Sequence, residues 1–143
     1  MTINEKQDEL IETFELFDEP LDKTQYIIDL GKKLPPINPA YLTDENLIKG
    51  CQSKVWLHCE AEGDAIKFEA DAEPTAQISK GLVSMLIHIL SGHTAEEIAY
   101  SNLYFIEKIG MSNLVTSRRA GGLAAMIARM KAFALEELKV KTD

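Results

Sequence analysis

Three prolines within five residues restrict this chain more than any other local feature. Pro35, Pro36 and Pro39 each fix φ at about −65°, lack a backbone N–H donor and disfavour helical geometry in the residue before them. A helix that approaches from the amino-terminal side must therefore end before Pro35. Residues 35–39 then form a stiff, extended connection to the rest of the fold.

Two amphipathic helices are predicted before the prolines. Thr2 and Glu5 have the spacing of a capping box, and Pro20 suits the first turn of a second helix. Apolar residues recur at helical intervals in both segments. They are Ile3, Leu10, Ile11, Phe14 and Phe17 in the first helix, and Leu21, Tyr26, Ile27, Leu30 and Leu34 in the second.

A β-hairpin is predicted after the prolines. Val55, Leu57 and Cys59 alternate with polar or larger residues over positions 54–61, and the same alternation resumes at Ile66 after the turn residues 62–64. Because a lone hairpin is unstable in water, helices or a further strand must cover it. Residues 46–48 are the candidate third strand.

Helices are predicted again from Pro74 to the end of the chain. The first opens at Pro74–Thr75 and stops at Gly92, the second has a Thr94–Glu97 capping box, and a third spans 103–109. The last is long and capped by Thr116 or Ser117. The expected fold is one α+β domain over residues 1–143, with an antiparallel sheet of about three strands packed against amino- and carboxy-terminal helices.

Charge and hydropathy exclude several function classes. Fifteen Lys+Arg against 23 Asp+Glu give a net charge of −8, which disfavours binding to nucleic acid. The apolar run 82–87 is too short to span a bilayer, and residues 1–19 do not resemble a signal peptide. With two cysteines in all, the expected location is a reducing cytoplasm.

Cys51 is the candidate reactive residue. It follows Gly50, whose permissive backbone can present the thiol on a turn before the first strand. An ordinary cysteine is only about 3% thiolate at pH 7, so reactivity requires nearby positive charge. Lys49, Lys54, Arg118, Arg119 and the start of the last helix are the candidate sources. Cys59 shares the apolar strand face and is expected to pack in the core.

Other cysteine chemistries fit the sequence poorly. A cysteine hydrolase needs an oriented histidine base, but His58 need not converge on Cys51, His88 is expected to pack within an apolar helix, and His93 is expected to be solvated. Two distant thiols suit neither a zinc site nor an iron–sulfur cluster. These considerations leave a sulfur-accepting thiol and a redox-sensing thiol as equal alternatives.

Five segments resemble one known family. The segment Gly50-Cys51-Gln52-Ser53-Lys54-Val55-Trp56 resembles the characteristic motif of the SufE family, whose members are sulfur-acceptor partners of cysteine desulfurases. Residues 26–31 and 34–36 resemble its second helix and proline exit. Residues 80–82 match the helix after the hairpin, and 116–127 are similar to its carboxy-terminal motif. The likeness covers nearly the whole chain.

The resemblance implies a function for Cys51. In such proteins the matching cysteine accepts a persulfide sulfur, stimulates desulfurase turnover and passes the sulfur on. Arg119 matches an arginine that could support the thiolate or contact the desulfurase, although the adjacent Arg118 blurs the assignment. Ser117 and Gly121 depart from residues common in relatives.

The resemblance also implies the partners. They are a desulfurase that uses pyridoxal phosphate and a downstream iron–sulfur scaffold complex, with no cofactor or metal on this chain. The expected protein is a sulfurtransferase-like partner and not a stand-alone enzyme, and either a monomer or a homodimer fits. The alternatives are a redox-sensing or protein-binding adaptor and a cluster scaffold. A scaffold of the same fold would need additional cysteines.

Overall fold

Helices pack against one small sheet in the computed structural model. The structure describes residues 1–50, 53–110 and 118–142, and only the backbone at 118–121, 141 and 142. The fold class is α+β, as predicted. Two 3-10 turns, Pro39–Tyr41 and Asp44–Asn46, follow the first two helices. In chain order the elements are α1 (Ile3–Phe14), α2 (Pro20–Lys32), β1 (Val55–Glu62), β2 (Ala65–Ala72), α3 (Gln77–Leu90), α4 (Ala95–Ala99), α5 (Phe105–Lys108) and α6 (Arg118–Thr142).

The amino-terminal helices begin as predicted. Thr2 Oγ1 accepts a hydrogen bond from the Glu5 amide at 3.0 Å, and Glu5 Oε1 accepts one from the Thr2 amide at 2.9 Å. Pro20 is the first residue of α2. Leu21, one of the apolar residues at helical spacing in this segment, is 81% exposed. Leu21 lies on a different side of α2 from the buried residues Ile27 and Gly31.

Helices α2 and α3 touch through glycines. A Cβ built on Gly31 would lie 2.8 Å from the backbone nitrogen of Gly81, and one built on Gly81 would lie 2.6 Å from Ile27 Cγ2. Both distances are shorter than a van der Waals contact. The two backbones therefore approach as closely as they do only because neither glycine carries a side chain.

The sheet is smaller than predicted. Strands β1 and β2 pair antiparallel, from Val55 opposite Ala72 to Glu62 opposite Ala65. The expected third strand at 46–48 is reduced to an isolated bridge between Leu47 and Trp56. The reason is local, since Asp44–Asn46 forms a 3-10 turn and leaves only two residues to run extended beside β1. Among the described residues the sheet therefore has two strands.

The core lies between the sheet and α1, α2, α3 and α6. Val55 and Leu57 are fully buried on its strand side. Helix α3 starts at Gln77, three residues later than predicted, because the Ala76 amide bonds to the Glu73 carbonyl in a turn at 2.9 Å. The helical side is formed by residues that include Phe14, Ile27, Leu82, Met85, Leu86, Ile89, Phe105, Met126 and Met130.

The remaining helix ends follow the predicted glycine and threonine signals. Gly92 and Gly110 have φ of +89° and +75° where α3 and α5 end. Thr94 and Glu97 form the predicted capping box of α4. The predicted cap of the last helix at Thr116 or Ser117 lies outside the described residues. In the part of the chain that is described, no helix is long and apolar enough to span a membrane.

Candidate functional site

Cys51 and Gln52 lie outside the described residues, so the site is defined by the residues on either side of them. The Ile48 amide donates to the Val55 carbonyl at 2.9 Å, and the Lys54 carbonyl accepts from the Glu73 amide at 3.0 Å. Ile48 is 6% exposed and Val55 is fully buried. The loop of residues 49–54 thus starts and ends at fixed points on the edge of the core.

Gly50, the residue before Cys51, lies next to the last helix. Its φ is +89°, which glycine adopts readily and other residues rarely do. The residue is exposed, and a Cβ built on it would lie 3.9 Å from the Cβ of Ala125 in α6. The residue before Cys51 therefore rests against α6.

The first residue of α6 lies at a distance from the point where Gly50 meets the helix. Ala125 follows Arg118 by seven residues, a rise of about 10 Å along the helix axis. Arg118 and Arg119 occupy the first turn of α6, and their side chains lie outside the description. Lys49 and Lys54 are exposed on the two sides of the loop. A role for these cations at Cys51 stays a prediction.

Cys59 lies where the strand pattern predicts it, packed against the core on the face of Val55 and Leu57. Burial raises the pKa of its thiol from 9.0 to about 11, and the positive charge of Arg129 opposes this rise only in part. Its thiolate fraction near neutral pH is correspondingly small, so Cys59 is a weak nucleophile.

A cavity of about 440 Å³ lies beside Cys59. Arg129 Nη2 donates to the Glu45 carbonyl at 2.8 Å on one side. On another side the rings of Tyr41 and His58 stack with centroids 3.5 Å apart and planes 7° from parallel. The lining residues are Ala40, Tyr41, Thr43, Glu45, Asn46, His58, Cys59, Arg129 and Phe133.

Sequence reasoning missed this cavity. Its walls come from the 3-10 turns, from β1 and from α6, which are far apart in the chain. The one local signal is the i, i+4 spacing that puts Arg129 on the same side of α6 as Phe133. That spacing alone does not predict a cavity.

The histidines correct two predictions. His88 is exposed and does not pack within the core, because it projects from the side of α3 opposite Leu86. His93 is not solvated, since its side chain is only 11% exposed. The Ile66 amide bonds to the His93 carbonyl at 2.9 Å and holds this residue against the edge of β2.

The electrostatic setting of His93 combines opposing effects. The largest effect is burial of the imidazole, which lowers its pKa, and the positive charge of Lys6 lowers the pKa further. Glu97, whose Oε2 lies 3.6 Å from Nδ1, raises it without reversing the outcome. Among the described residues, no group of three or more histidine, cysteine, aspartate or glutamate side chains is arranged to hold a metal ion.

Comparison with known proteins identifies the family. The family model for SufE, described as an Fe–S metabolism associated domain, matches residues 8–134. The chain belongs to the SufE family. This membership gives the protein a role in iron–sulfur metabolism.

Two SufE-like relatives support the assignment over most of the chain. An uncharacterized SufE-like protein of Rhizobium meliloti (strain 1021) is 40% identical over 129 residues, which cover 87% of this chain and 91% of the relative. A second uncharacterized SufE-like protein, from Rhizobium etli, is 37% identical over 139 residues, which cover 94% of this chain and 90% of the relative.

A solved structure supports the fold. The solution structure of a hypothetical protein from Thermus thermophilus matches with a TM-score of 0.76. It covers 94% of this chain and 96% of its own at 22% sequence identity. At that identity the likeness concerns architecture alone, and it agrees with the α+β arrangement of this SufE-family member.

Proposed function

We propose that this protein accepts sulfur from a cysteine desulfurase and that Cys51 is the acceptor. The observation that carries the proposal is the anchoring of the loop around Cys51. Ile48 and Val55 fix its base to the buried core, while Gly50 is exposed against α6. A thiol between such points can meet a partner without unfolding the sheet.

The proposed step is a thiol exchange with no net oxidation. The Cys51 thiolate attacks the terminal sulfur of a persulfide on the donor cysteine. A bond forms between Cys51 Sγ and that sulfur, and the sulfur–sulfur bond of the donor breaks. The donor cysteine leaves as a thiolate and takes up the proton that Cys51 released. The products are a Cys51 persulfide and a free donor thiol, ready for another turnover.

The chemistry also suggests the partners. The donor is a desulfurase that uses pyridoxal phosphate to release sulfur from cysteine, and the recipient is a scaffold complex that assembles iron–sulfur clusters. A reducing cytoplasm keeps free thiols available for such exchange. The family role in iron–sulfur metabolism supports this choice over a redox sensor or an adaptor.

Arg119 is proposed to assist Cys51 from the first turn of α6. Ala125 lies beside Gly50 and follows Arg119 by six residues, a rise of about 9 Å, which supports a position for the first turn of α6 within about 10 Å of Gly50 along the helix axis. A guanidinium and a helix amino terminus both favour an anion. Arg119 would therefore stabilise the thiolate or the persulfide, or contact the donor.

Mass spectrometry after incubation with a desulfurase and cysteine tests the proposal. We expect a gain of one sulfur mass that a reductant removes and that is confined to the Cys51 peptide. Cys51→Ala should abolish the gain, whereas Cys59→Ala, the matched control, should retain it. Labelled sulfur that still accumulates on Cys51→Ala would refute the proposal.

A pair of arginine variants tests the assisting role. Arg119→Ala should slow sulfur loading by about tenfold, the effect of losing one charge-assisted interaction. Arg118→Ala is the matched control, with the same loss of charge one residue away. If both variants slow sulfur loading equally, or if Arg119→Ala does not slow it, Arg119 has no specific role at Cys51.

A further inference from the structure

The cavity beside Cys59 contains a cation that has no counter-ion in the described part of the chain. Arg129 is paired with no carboxylate among those residues. Its recorded hydrogen bond uses Nη2 on the Glu45 backbone carbonyl, and a guanidinium has five N–H donors. Because Arg129 is only partly buried, its remaining donors are open to a ligand that enters the cavity.

The backbone of β1 adds a donor at the same place. The Lys54–Glu73 hydrogen bond shows that the even-numbered residues of β1 bond to β2. The backbone N–H and C=O of Cys59 must therefore point to the opposite edge. The Leu47–Trp56 bridge covers that edge only near Trp56. At Cys59 the edge borders the cavity.

His58 also lines the cavity, with its ring stacked on Tyr41. His58 Nε2 is buried without a hydrogen-bond partner among the described residues. The aromatic rings of Tyr41 and Phe133 supply apolar surface near these polar groups.

We propose that this cavity binds a small organic anion, with its carboxylate or phosphate on Arg129 and its apolar body against Phe133 and Tyr41. The planar fork of a guanidinium matches both anions in a two-point contact. A cavity of about 440 Å³ is within the usual range for small-molecule sites. The described residues that line the cavity lie outside positions 49–54, so the binding test does not require sulfur transfer.

NMR titration of the full-length protein with benzoate, phenyl phosphate and neutral benzamide tests the proposal. Benzoate or phenyl phosphate should shift the amide signals of His58, Cys59 and Arg129. Benzamide, which has nearly the shape of benzoate but no charge, should bind at least about tenfold more weakly. The stronger of the two anions identifies the preferred group. Equal binding of benzoate and benzamide, or no binding by either anion, would overturn the proposal.

Charge variants locate the binding group. Arg129→Gln keeps a donor for the Glu45 carbonyl but removes the charge, and should weaken anion binding by about tenfold or more. Lys139→Gln removes one charge elsewhere on α6 and should leave binding unchanged. Arg129→Lys should keep part of the preference for the anion, which tests the site even if Arg129→Gln folds poorly. Anion binding by Arg129→Gln at wild-type strength would refute the role of Arg129.

Chemical labelling gives an independent readout. In a Cys51→Ser background, the bound anion should slow alkylation of Cys59 by iodoacetamide, because it fills the space beside the thiol and neutralises the charge of Arg129. Neutral benzamide at the same concentration should have little effect. Equal protection by both compounds would indicate an apolar cavity without anion recognition.

Discussion

Gly81 in α3 lies directly against the backbone of Ile27 in α2. A Cβ at position 81 would stand 2.7 Å from the carbonyl carbon of Ile27 and 2.6 Å from its Cγ2. We expect Gly81→Ala to destabilise the fold by about 2 kcal/mol or more, since overpacking outweighs the better helix propensity of alanine. Urea denaturation measures the change. His88→Ala, at an exposed position of α3, should cost much less. Equal stability of the two variants would show that the helices separate freely.

The thiol of Cys59 should lose its proton at a higher pH than an ordinary cysteine does. Burial raises its pKa to about 11, so in a Cys51→Ser background its alkylation rate should still be rising near pH 10. Because the folded pKa is the higher one, the thiol stabilises the fold below about pH 9, and this contribution is lost as the pH rises through 11. The difference in unfolding free energy between this protein and its Cys59→Ala variant should narrow over that window. An alkylation midpoint near pH 8.5 would contradict the prediction.

His93 should remain neutral to lower pH than an ordinary histidine. Burial and the charge of Lys6 lower its pKa below 6.5. A lowered folded pKa means that its contribution to stability is complete above 6.5 and is lost as the pH falls through the folded value.

A Lys6→Gln variant isolates the charge effect on His93. It should move the pKa of His93 back toward 6.5, as followed by the imidazole NMR signals. Lys54→Gln removes a charge at the opposite end of the hairpin, about 23 Å along the strand, and should not move it. Identical shifts in the two variants would point to net charge and not to proximity.

Gly50 and Gly63 form a matched pair for testing the loop. Their φ values are +89° and +62°, so alanine should cost each position about 1 kcal/mol in backbone strain. Gly63 lies in the hairpin turn with nothing within 4 Å of a built Cβ, whereas Gly50 adjoins Ala125. We expect Gly50→Ala to reduce persulfide loading and Gly63→Ala to leave it unchanged, measured by mass spectrometry at equal folded fractions. Equal loading would show that the geometry before Cys51 is unimportant.

The sequence predicts features that depend on neighbours in the chain. The capping boxes at Thr2 and Thr94 join residues three apart, and the prolines act on the residue before them, so their effects could be read directly. The hairpin also follows from a local alternation and a Gly63 turn. In each case the deciding contact lies within a few residues.

Features that depend on distant contacts were predicted less well. His88 is exposed because it lies on the outward side of α3. His93 is shielded because its carbonyl accepts a hydrogen bond from β2. The cavity beside Cys59 requires Arg129, which is 70 positions away. Of the candidate site, the sequence predicts Cys51 and its motif, and this stays a prediction, whereas the proximity of Gly50 to Ala125 became known only from the fold.

Two hydrogen bonds attach the ends of the 49–54 segment to the hairpin. Both bonds, Ile48 with Val55 and Lys54 with Glu73, are made by backbone atoms and so do not depend on particular side chains. Substitutions between the stems should therefore change the reactivity of the segment more than the pairing of the hairpin beneath it.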